Sequence, residues 1–261
     1  MVKIPGTAIE AEFHAPVGKY PGLFYSSPST YGNMLSVNAG SSSGLYVGGG
    51  GINSGFEQAL SAQKTSLYAT RHSHLLHAVR NGGADIETYS DKNPMGFSMV
   101  DISHVIHNKN NSTPQGGNDG VCFVDIFGED ASGQSLCPHG VAQNTGMLYA
   151  CPPHGDNYAD DAAFLAAISQ TGANTVTSIG AYNKIAVANH QPLISAIRLC
   201  LFSSVIFNPN KVDKGKIALA IFDGMSQTLV KDDCGLTRVE MPYSTNPADP
   251  MFAAVKTKID P

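Results

Sequence analysis

Short apolar runs alternate along the chain with longer stretches of helical spacing, the pattern of strands separated by helices. Met34 to Ala39 is one such run and is predicted as a central strand, followed by a Ser/Gly-rich loop over 40–51. From Ser54 to about Arg80, the residues Phe56, Leu60, Leu67, Leu75, Leu76 and Val79 recur at helical spacing. Asn53 or Ser54 is placed to cap that helix and Asn81-Gly82-Gly83 to end it, with a break near Ala69. Phe97 to Ile106 and Gly120 to Phe127 are predicted strands, with polar loops over 108–120 and 128–146. Met147 to Cys151 is a short buried strand closed by Pro152-Pro153. A short helix is predicted over 160–170, and a longer apolar one over 184–206 that Pro192 kinks or divides. Lys216 to Phe222, apolar as far as Asp223, is predicted as a parallel-type strand. The tail from Pro247 to Ile259 is a final helix with Pro250 in its first turn.

This order of elements predicts an α/β fold, with helices on both faces of a mixed sheet in three layers. A single domain over 1–261 is expected. In it the turn-rich residues 1–33, with Pro5, Pro16, Pro21 and Pro28, lie across the surface as an extension, and 108–146 is an insertion.

Composition narrows the partners. With 261 residues the chain can bury a proper core. A formal charge of −5 and 16 Lys plus Arg give no basic footprint, so nucleic acid is not the expected partner. The five cysteines, Cys122, Cys137, Cys151, Cys200 and Cys234, are odd in number and lack CxxC spacing; reduced thiols and an intracellular site of action are expected. Met1 to Glu12 contains no apolar core of a Sec-type signal, and the best apolar stretch, Leu193 to Phe207, is too short for a membrane span and carries Arg198. A soluble chain with no membrane partner is therefore expected.

In open α/β sheets ligands bind beyond the carboxyl ends of the strands. Three predicted strand ends carry chemistry: Asn38 before the glycine loop, Cys151-Pro152-Pro153-His154-Gly155-Asp156, and Asp223-Gly224-Met225-Ser226. Gly48-Gly49-Gly50-Gly51 leave the backbone bare just before a helix. There N–H donors and the helix dipole favour a phosphate or diphosphate.

The order of an Asn-Ala strand end, a glycine run and a helix resembles the macrodomain family, whose members bind ADP-ribose at such a loop. More narrowly, Gly48-Gly49-Gly50, then Glu57-Gln58-Ala59, then Leu60 to Tyr68, is similar to the signature of the poly(ADP-ribose) glycohydrolase branch. That resemblance implies a macrodomain-like three-layer α/β/α fold. The implied ADP-ribose contacts are Asn38, Ala39, Gly48, Gly49, Gly50, Gly51, Ile52 and Asn53, with Gly224, Met225, Ser226 and Tyr243 from the second phosphate loop and the closing region. Gln58 and Ala59 occupy the places of the branch's tandem glutamates, and Glu57 stands one place early.

Cleavage at C1″ of the distal ribose passes through an oxocarbenium-like state and needs a carboxylate. With the glutamate pair missing, the acidic segment after Asp223 is the expected replacement: Asp223, Asp232 and Asp233 do the chemistry, with Glu57 either assisting or only complementing a helix dipole. Paired carboxylates suit the guanidinium of an ADP-ribosylated arginine. The expected activity is thus hydrolysis of mono-ADP-ribose from a modified protein. A reader that binds without cleaving, or a poly(ADP-ribose) glycohydrolase, is the alternative. Some bacterial effectors delivered into host cells without a Sec signal resemble this profile, which implies the same route here.

No cofactor and no metal are expected. His72, His74 and His77, and His104 and His107, lack the accompanying ligands of a zinc site. Cys151 and His154 are too close on a Pro-bent backbone to act as a nucleophile pair. Tyr68, Phe222 and Tyr243 either stack on the ligand or fill the core.

Overall fold

The computed structural model describes residues 2–13, 34–40, 52, 87–88, 104–105, 120, 122–126, 144–188, 193–205, 207–241, 248 and 250–259. Nine strands are found among them: β1 (Val2–Lys3), β2 (Glu10–Phe13), β3 (Met34–Ala39), β4 (Glu87–Thr88), β5 (His104–Val105), β6 (Cys122–Ile126), β7 (Asn144–Ala150), β8 (Ala196–Arg198) and β9 (Arg238–Met241). Three helices accompany them, α1 (Asp161–Ala188), α2 (Lys214–Lys231) and α3 (Pro250–Ile259). The main sheet has the order β1-β2-β9-β8-β3-β7-β6, and β4 pairs with β5 in a separate ribbon. The five inner strands β2, β9, β8, β3 and β7 are parallel, while β1 and β6 are antiparallel at the edges. This is the mixed α/β sheet that the sequence pattern predicts.

The connections β7–α1–β8 and β8–α2–β9 run the same way across the sheet. Right-handed crossovers in one direction place both helices on one face, and α1 indeed packs on α2, and α2 on α3. Side chains alternate across the sheet. Leu35, Val37, Leu148, Ala150, Ile197 and Val239 join Phe164, Ile168, Ile179, Ile221, Phe222 and Met225 of the helices in one hydrophobic core. Burying each such large side chain contributes about 1.5–3 kcal/mol. The opposite face carries Ser36, Asn38, Tyr149, Arg198, Arg238 and Glu240, which are buried too.

Four expectations change. Lys216 to Phe222 lies inside α2 and is not a strand. Its apolar run is six residues long, a length at which period alone does not separate a buried strand from a buried helix face. Buried positions continue through Met225 and Leu229, and the side chain of Asp213 caps the start by accepting from Lys216 N at 3.1 Å. Second, α1 runs to Ala188, far beyond residue 170. Gly172 and Gly180 interrupt its apolar pattern because each sits under another chain segment. Third, the helix expected over 184–206 gives way to β8, buried at all three positions. Fourth, residues 2–13 supply β1 and β2, with Ile4, Ile9 and Ala11 in the core rather than across the surface. The strand Met34–Ala39 stands where the pattern puts it, and the final helix, expected from Pro247, begins at Pro250 and ends at Ile259 as expected. The helix expected over 54–80 lies outside the described residues.

Candidate functional site

β3 is an inner strand of the parallel sheet, and its carboxyl end lies between β7 on one side and β8 on the other. Asn38 is wholly buried there, Ala39 follows, and Gly40 donates its N–H to the Ala150 carbonyl at 3.0 Å. Two loops leave the same edge. One, after β7, runs through Cys151, Pro152, Pro153 and His154 into a short 3-10 turn at Gly155–Asn157. The other, after β8, spans 199–213 and ends at the cap of α2.

These loops are tied to one another. Ser203 donates its hydroxyl to the Pro153 carbonyl at 2.7 Å, and Gly155 donates its N–H to the Phe207 carbonyl at 2.9 Å. The rings of His154 and Phe207 lie 5.2 Å apart, tilted by 52°. A β-carbon on Gly155 would meet Pro209 Cδ at 3.0 Å, so the two loops approach closely here. The Cys200 thiol touches the backbone of Ala39 through a hydrogen bond, while burial pushes it up to about 12. On the other side Gly120, just before β6, donates to Cys151 O at 2.7 Å and receives the Asn174 amide of α1 at 2.8 Å.

One rung below Asn38 lies a buried ionic row. Arg198 donates from Nε at 2.8 Å and from Nη2 at 2.6 Å to Glu240 Oε2 on the neighbouring strand. Leu199 N bonds to Glu240 O at 2.9 Å, so the same two strands are joined by backbone where the 199–213 loop departs. Arg238 pairs with Glu12 of β2, and its burial lowers its pKa, opposed by the charges of Glu240 and Glu10.

Of the residues singled out in the sequence, Asn38 and Ala39 stand at this edge, and Ile52 is half-buried against the core. Gly48, Gly49, Gly50, Gly51, Asn53, Glu57 and Tyr243 lie outside the described residues. Asp223, Gly224, Met225 and Ser226 are not a loop: they form the middle of α2. At 1.5 Å of rise per residue, Asp223 is about 13 Å along the helix axis from Lys214. Its carboxylate faces Lys258 of α3 at 3.5 Å. Gly224 packs on the Ser169 backbone, and Met225 and Phe222 are core.

Asp232 and Asp233 lie at the opposite edge of the sheet. Asp232 ends α2, about 27 Å along the axis from its start. Cys234 O accepts from Asn183 Nδ2 at 2.8 Å, and the same amide reaches Ile194 O at 2.8 Å, just before β8 begins. Asp233 accepts from Gly235 N at 2.9 Å in a local turn. The three aspartates expected to do chemistry are therefore held in a helix, a helix cap and a turn, and Asp232 and Asp233 are a strand length from Asn38. Once α2 replaces the expected strand, the reason for assigning them to the crevice goes with it.

The 199–213 loop, of which residues 199–206 fall within the helix expected from the sequence, leaves the sheet at the Asn38 edge instead. Its signals were Pro192 before the apolar run, Ser203-Ser204 within it, Asn208-Pro209 after it and Asp213 as a cap. Among the described residues no group of three His, Cys, Asp or Glu side chains is placed to hold a metal ion. No helix among them is long and apolar enough to cross a membrane.

A mixed sheet with five parallel inner strands, a buried Asn at the carboxyl end of one of them and crossover helices is a macrodomain-like α/β fold. The Trypanosoma brucei macrodomain, whose structure was solved in complex with ADP, matches it with a TM-score of 0.50 over 97% of this chain and 74% of that one, at 10% identity. The chain belongs to the Mitochondrial association factor 1 C-terminal domain family, whose model matches residues 5–258. It is 27% identical over 224 residues to the DNA/RNA-binding protein ALBA4 of Plasmodium falciparum (isolate 3D7), covering 82% of this chain and 58% of that protein. It is 28% identical over 219 residues to Mitochondrial association factor 1 form b0 of Toxoplasma gondii, covering 76% of this chain and 47% of that protein. The chain spans about half the length of the curated relatives it matches. These relatives come from Plasmodium and Toxoplasma, so the expectation of a bacterial effector finds no support in them. The name of the Plasmodium relative likewise leaves the expected absence of a nucleic-acid partner without support.

Proposed function

We propose that the carboxyl-edge crevice at Asn38 binds ADP-ribose, and that the domain acts as a recognition module for that group. The observation that carries this is the placement of Asn38: buried at the end of an inner parallel strand, between two loops bonded to each other, with the four-glycine run following in sequence. In this reading Asn38 and Ala39 orient the distal ribose. Gly48, Gly49, Gly50 and Gly51 supply backbone donors to the diphosphate, and the 199–213 loop takes the part of the second phosphate loop that the sequence had placed after Asp223.

Recognition is favoured over hydrolysis by the carboxylates. Asp223, Asp232 and Asp233 are engaged elsewhere, and Glu240 is bound to Arg198. Of the carboxylates singled out for this chemistry in the sequence, Glu57 is then the one left to remove mono-ADP-ribose from arginine.

Calorimetric titration tests the proposal. ADP-ribose is expected to bind one to one, with AMP and ribose 5-phosphate each weaker because each offers only part of the group. Incubation with a protein mono-ADP-ribosylated on arginine is expected to leave the modification in place. Absence of heat with ADP-ribose overturns the binding proposal, and release of free ADP-ribose overturns the recognition reading in favour of hydrolysis.

A further inference from the structure

The described residues contain two non-glycine residues at positive φ, Ser203 at 59° and Lys211 at 56°, and both lie in the one loop after β8. A left-handed backbone is unfavourable for any residue with a β-carbon, and such conformations persist only where the surroundings over-determine them. Each of these two has a dedicated restraint. At Lys211, Asn208 closes the turn by donating to Val212 O and accepting from Val212 N, both at 2.8 Å. At Ser203 the restraint is its own hydroxyl, buried and bonded to Pro153 O at 2.7 Å on the neighbouring loop.

We propose that Ser203 is a positioning residue for the crevice: its hydroxyl bond to Pro153 locks a left-handed corner that glycine would adopt unaided, and so fixes the loop against the 151–157 segment. The inference rests on the ADP-ribose reading for its ligand arm. Holding the backbone at Ser203 orients the peptide that follows, and with it the Ser204 N–H, the kind of backbone donor that holds a phosphate. The same corner delivers Phe207, whose carbonyl receives the Gly155 N–H at 2.9 Å. Ser204 closes the turn from within by donating to Leu201 O at 2.7 Å.

The lock separates two properties of one side chain, a bond that holds the corner and a β-carbon that opposes it. Ser203→Ala keeps the β-carbon and loses the bond. Ser203→Gly loses both: glycine takes φ 59° without a β-carbon penalty but gives up the tie to Pro153. ADP-ribose binding is therefore expected to weaken about tenfold in Ser203→Ala and to recover part of that loss in Ser203→Gly. Amide exchange at Gly155 gives a readout that needs no ligand: faster than the parent in Ser203→Ala, and between the two in Ser203→Gly. Parent-like affinity in Ser203→Ala, or a Ser203→Gly variant as weak as Ser203→Ala, overturns the lock. If the parent chain takes up no ADP-ribose, the function proposal fails on its own. The exchange measurement then decides the lock, which unchanged Gly155 exchange in Ser203→Ala overturns.

Discussion

Gly224 of α2 lies against the carbonyl oxygen of Ser169 in α1, with no room for a β-carbon between them. Gly172 of α1 meets the Ile221 carbonyl of α2 in the same way. The two helices touch backbone to backbone because each offers a glycine where the other presents a carbonyl. Relief would need a shift of main chain, since the obstructing atoms are not the flexible end of a side chain. Gly224→Ala is expected to destabilise the fold by about 3 kcal/mol or more. A urea melt measures this. A change below about 1 kcal/mol would show that α1 and α2 can separate freely.

The Arg198–Glu240 pair predicts a different signature. Both side chains are buried, so truncating one strips a buried charge of its nearest counter-charge, although Arg238 remains 4.0 Å from Glu240; Arg198→Ala or Glu240→Ala is expected to cost about 3 kcal/mol. The double replacement Arg198→Met with Glu240→Leu removes both charges at similar volume and is expected to be milder than either single change. Denaturant midpoints of the three variants decide it, and strictly additive losses would contradict a buried pair.

Two thiols give the chain an alkaline limit. Burial pushes Cys122 and Cys200 up to about 12 from 9.0, opposed by a hydrogen bond from Thr175 at the first and by backbone bonds of Cys200 and Ala39 at the second. The unfolded chain loses these protons first, so the native state holds more protons between pH 9 and 12. The stabilisation is complete below pH 9 and is lost as pH rises through that window, at up to about 1.4 kcal/mol per pH unit for each thiol. Unfolding followed from pH 8 to 11 should show this fall, flattened in a Cys122→Ala, Cys200→Ala double variant.

Charge removal at the aspartates separates the sequence expectation from the structure. Asp232→Asn and Asp233→Asn are expected to leave ADP-ribose affinity unchanged, because both residues lie at the far edge of the sheet. Asp223→Asn loses an exposed ion pair to Lys258 worth about 0.2–1 kcal/mol, and is likewise expected to leave affinity unchanged. A tenfold loss of affinity in either far-edge variant would place the ligand elsewhere.

How much of this was legible in the sequence depends on what each signal was made of. The inner strand β3 was readable because Met34 to Ala39 is short, continuous and followed by small residues, and parallel inner strands are buried on both faces. Asn38 was readable with it, since a polar residue at the end of such a strand stands out. The segment from Lys216 misled because six apolar residues suit either period. The deciding signs were the cap at Asp213 and the continuation through Met225 and Leu229. That single exchange moved the acidic residues from the crevice to a helix and its far end. The crevice loop after β8 was hidden for the converse reason: β8 is only three residues long, too short to show a period, and its loop is shaped by Ser203, a residue type that does not announce a left-handed turn. The contacts of Gly172 and Gly224 could not be read at all, because a glycine inside a helix carries no mark of what approaches it.

The central claim is that ADP-ribose sits at the Asn38 edge of the sheet. Amide shift mapping tests it most directly: ADP-ribose is titrated into the isotope-labelled chain, and its Asn38→Ala variant serves as control. The account predicts saturable shifts at Asn38, Ala39, Gly40, Ser203 and Ser204, none at Asp232 or Asp233, and loss of the response in the variant. Shifts centred on Asp232, Asp233 and Gly235, or none anywhere in the folded chain, would contradict it.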